Sequence, residues 1–131
     1  MKIAALLALL VLVAGCGSGT EPAAPPTYDL TITYWPAGRG GESRTATLTC
    51  PAGGTHPDPK DACNALVSHL NALRPVSRNI ACTEIYGGPQ VATIAGTIEV
   101  EGPVRASFNR SNGCEIARWE ALKAVLEIEE G

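Results

Sequence analysis

Cysteine is the residue type whose number and spacing in this sequence say most about chemistry. It occurs at Cys16, Cys50, Cys63, Cys82 and Cys114. These cysteines form no Cys-x-x-Cys pair, and the chain has only two histidines, so their spacing is not that of a zinc site. An odd number in an exported protein leaves one thiol that requires an explanation. Cys16 lies far from the others, and the remaining four are expected to form two disulfides in an oxidising compartment. Four cysteines allow three pairings. We therefore expect structural cysteines, with no metal and no cofactor.

The first 15 residues have the pattern of a lipoprotein signal peptide. Lys2 supplies a positive charge, residues 3–13 form an unbroken apolar run, and small residues lie directly before Cys16. The run is shorter than the about 20 residues that cross a bilayer, but it has the length of a signal-peptide core. This order resembles the bacterial lipobox, in which the cysteine thiol carries a diacylglyceryl group and becomes the first residue after cleavage. The alternative is an ordinary secretory signal, with Cys16 incidental.

The chain therefore divides into three parts: a signal peptide over residues 1–15, a lipidated cysteine and tether over residues 16–27, and a folded domain over residues 28–131. Glycine, serine and proline dominate the tether, which is typical of a flexible and then stiffer linker. We expect an extracellular protein that lipid on Cys16 anchors to the outer face of the bacterial cell membrane. The net charge of −3, the scattered basic residues and the 5% aromatic content argue against nucleic-acid binding.

The hydrophobic pattern of the domain predicts an α+β fold. Apolar residues alternate along several short segments, as in strands with one buried face, and recur at helical spacing after Asp58-Pro59, a helix-start signal. We expect an antiparallel sheet of about five strands, with one main helix and one short helix packed on one face, and two disulfides. The predicted strands are residues 28–35, 44–50, 90–100, 104–108 and 124–128, and the predicted helices are residues 59–73 and 115–120. One continuous helix to Glu127 is the alternative for the last segment.

Three segments of the domain carry a distinctive pattern. Residues 47–63 read TLTCPAGGTHPDPKDAC, residues 70–73 read LNAL and precede Cys82, and residues 111–116 read SNGCEI. These segments resemble the Streptomyces subtilisin inhibitor family. Together they place nearly the whole chain after the tether within the resemblance. The number, order and approximate spacing of the four domain cysteines also agree with that family. The resemblance implies an inhibitor of serine endopeptidases and not an enzyme, with disulfides Cys50–Cys63 and Cys82–Cys114.

The same resemblance implies a reactive bond between Glu84 and Ile85, two residues after the third domain cysteine. Glu84 is then the P1 residue, whose side chain enters the protease S1 pocket, and Ile85 is the P1′ residue. The rest of the protease-binding loop is Cys82, Thr83, Tyr86 and Gly87. Asn112 is implied to support this loop by hydrogen bonding.

The loop departs from the family pattern in ways that bear on its target. The position of Thr83 is often proline in relatives, and Gly87-Gly88 stands where one residue is usual, so the segment after the reactive bond is longer and looser. An acidic P1 residue is costly to bury in an apolar S1 pocket. We therefore expect a preference for glutamate-specific serine proteases over subtilisin. The alternative is that Glu84 is tolerated at the rim of a subtilisin-like pocket.

Two other functions are compatible with parts of this pattern. A non-inhibitory cell-surface binding module could retain the fold with a degraded loop, and an enzyme would need a nucleophile that neither His56 nor His69 has by motif. Relatives are commonly dimers through the outer face of the sheet. Both a monomer and a homodimer, with Thr31, Thr33 and Trp35 on that face, are therefore compatible with the sequence.

Overall fold

A computed structural model describes residues 15, 17, 19, 24 and 26–129. Cys16, nearly all of the predicted signal peptide and most of the predicted tether lie outside the described residues. The strands are β1 (Tyr28–Trp35), β2 (Arg44–Cys50), β3 (Gly53–Gly54), β4 (Val91–Ile98) and β5 (Gly102–Phe108), and the helices are α1 (Pro59–Ser68), α2 (Gly113–Ala121) and α3 (Lys123–Leu126), with a 3₁₀ turn at Leu70–Leu73.

The strands form one antiparallel sheet in the order β3-β2-β1-β4-β5. In the middle of β1, Ile32 lies opposite Ala46 of β2 and Ile94 of β4, and all three side chains are buried. This follows from the alternation in the sequence, because every second side chain of a strand points to the same face. The predicted α+β class and antiparallel sheet are confirmed.

The helices cover the inner face of the sheet and close the core. Asp58 begins α1 as predicted, since its Oδ1 accepts a hydrogen bond from the Asp61 N–H at 3.2 Å, and Pro59 occupies the first turn. The predicted helix to Leu73 is interrupted at His69, whose N–H donates to the carbonyl oxygens of both Ala65 and Leu66. This tightening leads into the 3₁₀ turn.

The predicted last strand is wrong, and so is its alternative of one continuous helix. Residues 123–126 are helical, and α3 is separated from α2 at Leu122. Leu122, Val125 and Leu126 are fully buried, and their spacing of three and four residues places them on one helix face. The fifth strand is instead β3, two glycines that lie between β2 and α1 and outside every predicted strand.

Two disulfides join the elements, in the pairing that the resemblance implies. Cys50–Cys63 links the end of β2 to α1 within the core, with both residues buried. Cys82–Cys114 links the segment before β4 to the first turn of α2, and both residues are half-buried. The second disulfide therefore fixes an irregular segment to a helix.

Arg118 holds α2 against the rest of the domain. Its side chain is 8% exposed and donates to the carbonyl oxygens of Ala72 at 2.6 Å and Ser107 at 2.7 Å. It also pairs with Glu115 at 3.2 Å and lies over the Phe108 ring. Hydrogen bonds from a charged donor are stronger than neutral ones. The position of α2, and of whatever its first turn contacts, therefore depends on Arg118.

Within the part of the chain that the structure describes, no helix is long and apolar enough to cross a membrane. No group of three or more histidine, cysteine, aspartate or glutamate residues there is placed to hold a metal ion.

Candidate functional site

The segment between the 3₁₀ turn and β4 carries the predicted reactive bond on the surface of the domain. It has no helix or strand, and residues 83–86 are all exposed. Ile85 is 61% exposed and Tyr86 is 68% exposed, which is unusual for large apolar and aromatic side chains in a domain with a well-packed core. Such exposure next to an acidic residue is suited to contact with a partner.

The side of this loop before the reactive bond is fixed to the start of α2. Cys82 is joined to Cys114 with a Cα–Cα distance of 5.3 Å, and the Gly113 N–H donates to the Thr83 carbonyl oxygen at 2.8 Å. Gly113 permits this approach because a Cβ atom at that position would overlap the Thr83 Oγ1 atom. The residue before Glu84 is therefore held by one hydrogen bond and by an adjacent covalent link.

The side after the reactive bond is fixed to Arg110. The Gly87 N–H donates to the Arg110 carbonyl oxygen at 2.7 Å, and the Arg110 Nε–H donates back to the Gly87 carbonyl oxygen at 3.0 Å. A Cβ atom on Gly87 would lie 2.8 Å from the Ile116 Cδ1 atom, closer than side-chain carbons approach one another. A side chain at this position would force the Ile116 side chain to move, so glycine lets the loop pack closely on α2.

Glu84 lies between these two supports, and its side chain is on the surface. It is exposed, and no lysine, arginine or histidine among the described residues forms a salt bridge with it. Its carboxylate is therefore available to a partner.

Asn112 begins α2. Its Oδ1 accepts a hydrogen bond from the Glu115 N–H at 2.9 Å, which is the geometry of a helix N-cap. The hydrogen bond to the loop comes from the next residue, Gly113. Asn112 thus sets the direction of the first turn of α2, and its predicted role in supporting the loop stays a prediction.

Sequence reasoning named neither Arg110 nor Gly113 as a loop support. Gly113 lies within the SNGCEI segment, but a glycine at the start of a helix gives no sign that another chain segment approaches it. Arg110 is 23 residues from Gly87, and only the fold brings the two together. Their closeness to Asn112 and Cys114 along the chain is the one signal that could have indicated them.

The two histidines contribute to the fold rather than to a reactive site. His56 is buried, its Nδ1 accepts from the Asp58 N–H at 3.1 Å, and its Nε2 therefore carries the hydrogen that it donates to the Val125 carbonyl oxygen at 3.1 Å. His69 is exposed at the break between α1 and the 3₁₀ turn.

The fold and the loop together define a small disulfide-linked domain with one exposed, irregular segment that is braced on both sides. The sequence pattern of the family described as subtilisin inhibitor-like matches residues 24–110, more than half of the chain, and the chain belongs to that family. This match confirms the family resemblance. Inhibitors of this family are secreted and are not enzymes, so the expectation of a non-enzyme is confirmed as well.

Sermetstatin from Streptomyces caespitosus, solved in complex with Bacillus licheniformis subtilisin, is similar to this chain at 25% identity. The similarity covers 77% of this chain and 97% of that one, with a TM-score of 0.47. No curated protein matches the chain in a sequence search.

Proposed function

We propose that this protein inhibits a serine endopeptidase by presenting residues 82–87 as a substrate-like loop with its reactive bond between Glu84 and Ile85. The observation that carries the proposal is the pair of supports on either side of that bond. A loop held on both sides has little conformational entropy left to lose when it enters a protease cleft, which favours tight binding. An unsupported exposed segment of the same sequence would instead be an ordinary substrate.

The chemistry of inhibition follows from this geometry. The oxygen of the protease serine adds to the Glu84 carbonyl carbon, the C–N bond to Ile85 breaks, and the new amine takes the proton that the serine gave to the enzyme base. If the amine stays in place it attacks the acyl ester, the C–N bond forms again, and the serine regains its proton. Net hydrolysis of the Glu84–Ile85 bond is slow because the Ile85 amine stays close to the acyl ester and reacts with it before water does.

The exposed carboxylate of Glu84 favours a protease with a cationic or strongly polar S1 pocket. Moving an unpaired carboxylate from water into an apolar pocket costs several kcal/mol. A glutamate-specific serine protease avoids that cost, whereas subtilisin does not. We therefore propose glutamate-specific proteases as the preferred target and subtilisin-like proteases as the weaker one.

The lipid anchor on Cys16 remains part of the proposal. Tyr28, where the chain leaves the tether, pairs with Ile98 at one end of the sheet, and Trp35 pairs with Val91 at the other end, where the reactive loop joins β4. The eight residues of β1 separate these ends by roughly 25 Å. The start of the described domain at Tyr28 and the reactive loop therefore lie at opposite ends of β1, which suits an anchored inhibitor whose loop faces away from the membrane. Cys16→Ser is expected to move the protein from the membrane fraction to the medium, and an unchanged distribution would contradict the anchor.

Mapping the cleaved bond tests the proposed loop directly. The oxidised protein is incubated with a catalytic amount of a glutamate-specific serine protease, and new N-termini are sequenced over time. The proposal predicts one slow cut that gives a chain beginning at Ile85 and remains in equilibrium with intact protein. Rapid cutting at Glu84 without inhibition would instead favour the non-inhibitory binding module. A first cut elsewhere would show that the reactive bond is not Glu84–Ile85.

A further inference from the structure

The two halves of the reactive loop would be retained differently after cleavage between Glu84 and Ile85. The half that ends at Glu84 is covalently attached to α2 two residues earlier, through Cys82–Cys114. The half that begins at Ile85 rejoins the sheet only at Val91, where β4 starts. Retention of the amine for resynthesis therefore depends on what holds the second half.

A flexible joint lies within that second half. Gly88 has φ of +126°, a conformation that residues other than glycine rarely adopt, and Gly87 precedes it. A cleaved chain could pivot at Gly88 and carry the Ile85 amine away. A hold is effective only if it acts on the side of Gly88 nearer to Ile85.

Arg110 acts on that side. The Arg110 carbonyl oxygen accepts from the Gly87 N–H at 2.7 Å, and the Arg110 Nε–H donates to the Gly87 carbonyl oxygen at 3.0 Å. Arg110 therefore holds the peptide groups on both sides of the Gly87 Cα atom. Gly87 is two residues from Ile85, and no disulfide is available to this half of the loop among the described residues.

Other groups keep the Arg110 side chain in position. Its Nη1 donates to the Glu120 carboxylate at 2.7 Å, and its guanidinium lies 5.8 Å from the centre of the Trp119 ring. The side chain is only 17% exposed. A planar guanidinium can hold a carboxylate with one nitrogen and a carbonyl oxygen with another, which a single ammonium group cannot do with the same geometry. The hold on Gly87 is therefore preset before any protease binds.

We infer that Arg110 is the positioning residue that retains the Ile85 amine after cleavage, so that this loop acts as an inhibitor and not as a substrate. The inference rests on the proposed function, and it assigns the primed-side hold to a side chain outside the loop. It also explains how an inhibitory loop can contain Gly87-Gly88: two glycines make the segment after the reactive bond more flexible, and the contacts with Arg110 restrain it.

Replacing Arg110 by methionine tests the inference in the full-length oxidised protein, purified in detergent and mixed with a glutamate-specific serine protease. Arg110→Met removes the Nε donor but keeps a long side chain over Trp119. We expect net cleavage after Glu84 to become at least about ten-fold faster, which corresponds to about 1.4 kcal/mol, and the equilibrium to shift toward cleaved chain. Arg110→Lys keeps the charge beside Glu120, serves if the methionine variant does not fold, and is also expected to be cleaved faster than the unmodified chain.

Arg44→Met is the matched control, because it also removes a partly buried arginine that donates to a backbone carbonyl oxygen at 3.0 Å, that of Ile128, but forms no hydrogen bond with the loop or α2 among the described residues. It is expected to lower the melting temperature about as much as Arg110→Met while leaving the ratio of cleaved to intact chain unchanged. Equal cleavage rates for the Arg110 variants and the unmodified inhibitor would overturn the inference, as would cleavage that is equally faster in Arg44→Met. If the unmodified chain inhibits neither this protease nor subtilisin, the proposed function itself fails.

Discussion

Gly113 supports the proposed reactive loop because it has no side chain. Its N–H reaches the Thr83 carbonyl oxygen at 2.8 Å, and a Cβ atom would occupy the space of the Thr83 Oγ1 atom. We expect Gly113→Ala to push Thr83 outward and to weaken protease inhibition by about ten-fold or more, the loss of roughly one hydrogen bond to the loop. Alanine is a good helix former, so the stability of α2 should not fall. Inhibition constants and thermal unfolding of the same variant separate the two effects.

Thr83→Ala added to Gly113→Ala provides the matched rescue. Removing the Thr83 hydroxyl takes away the atom that the new Cβ would meet, and the remaining Thr83 Cβ lies at 3.4 Å. The double variant should therefore regain most of the lost inhibition. A double variant as weak as Gly113→Ala alone would show that the close approach is not what positions the loop.

At the level of single residues, the sequence predicts which residues form the loop but not which residues support it. Glu84 and Ile85 follow Cys82 at a fixed spacing, which a family resemblance transfers directly. Arg110 acts through one nitrogen atom on a residue far away along the chain, and no local pattern records such a contact. Asn112 was expected as the support by resemblance, and in the structure its side chain accepts from Glu115 while its neighbour Gly113 contacts the loop.

Among the elements, strands with one buried face were predictable, and short elements were not. β1 and β2 follow from strict alternation of apolar residues, and α1 follows from its cap and its apolar stripe. β3 consists of two glycines, which carry no hydrophobic signal, and it forms because β2 offers an unpaired edge. The last segment contains apolar residues at both helical and strand spacing, and packing against the sheet selected the helix in α3.

The two disulfides connect different elements and are expected to have different effects. Cys50–Cys63 joins β2 to α1 in the core, so replacing both cysteines by alanine should lower the free energy of unfolding by about 3 kcal/mol, by the chain-entropy estimate. Cys82–Cys114 closes a longer ring, worth about 3.7 kcal/mol by the same estimate, and also holds one side of the reactive loop.

Double alanine variants at each disulfide, compared by urea unfolding and by protease titration, check this difference. The variant without Cys50–Cys63 should still inhibit at temperatures where it is folded. The variant without Cys82–Cys114 should be cleaved as a substrate even when it is folded. Equal loss of inhibition in the two folded variants would contradict a separate role for the second disulfide.

For the whole domain, two buried tyrosines make stability depend on alkaline pH. Burial raises the pKa of Tyr28 above 10.0, with a smaller contribution from the charge of Glu101. Burial also raises the pKa of Tyr34, with Glu127 and Glu129 adding to the rise and Arg44 and Arg110 opposing it. Above pH 10 the unfolded chain loses these protons before the folded chain does, so the free energy of unfolding decreases as pH rises from about 10 toward the raised pKa values.

Urea unfolding between pH 7 and pH 11 measures this dependence. Tyr34→Phe should show a smaller decrease above pH 10 than the unmodified domain. Tyr28→Phe should also show a smaller decrease, because burial raises the pKa of Tyr28 as well. Identical pH curves for Tyr34→Phe and the unmodified domain would contradict the assignment.

The outer face of the sheet bears on assembly of the whole molecule. Thr31 is exposed there, Thr33 and Trp35 are half-buried, and the Arg39 guanidinium lies 4.9 Å from the centre of the Trp35 ring. A homodimer through this face stays a prediction, and sedimentation at several concentrations distinguishes it from a monomer.

Titration of the protein against a glutamate-specific serine protease and against subtilisin, in parallel with Glu84→Arg, measures whether the protein inhibits and whether Glu84 is its P1 residue. We predict stoichiometric, tight inhibition of the glutamate-specific enzyme, weaker inhibition of subtilisin, and a loss of at least about a hundred-fold for the first enzyme in Glu84→Arg, consistent with the cost of placing the wrong charge in S1. Glu101→Arg, at an exposed glutamate in the turn between β4 and β5, should inhibit like the unmodified protein. Tight inhibition that survives Glu84→Arg unchanged would contradict Glu84 as the P1 residue.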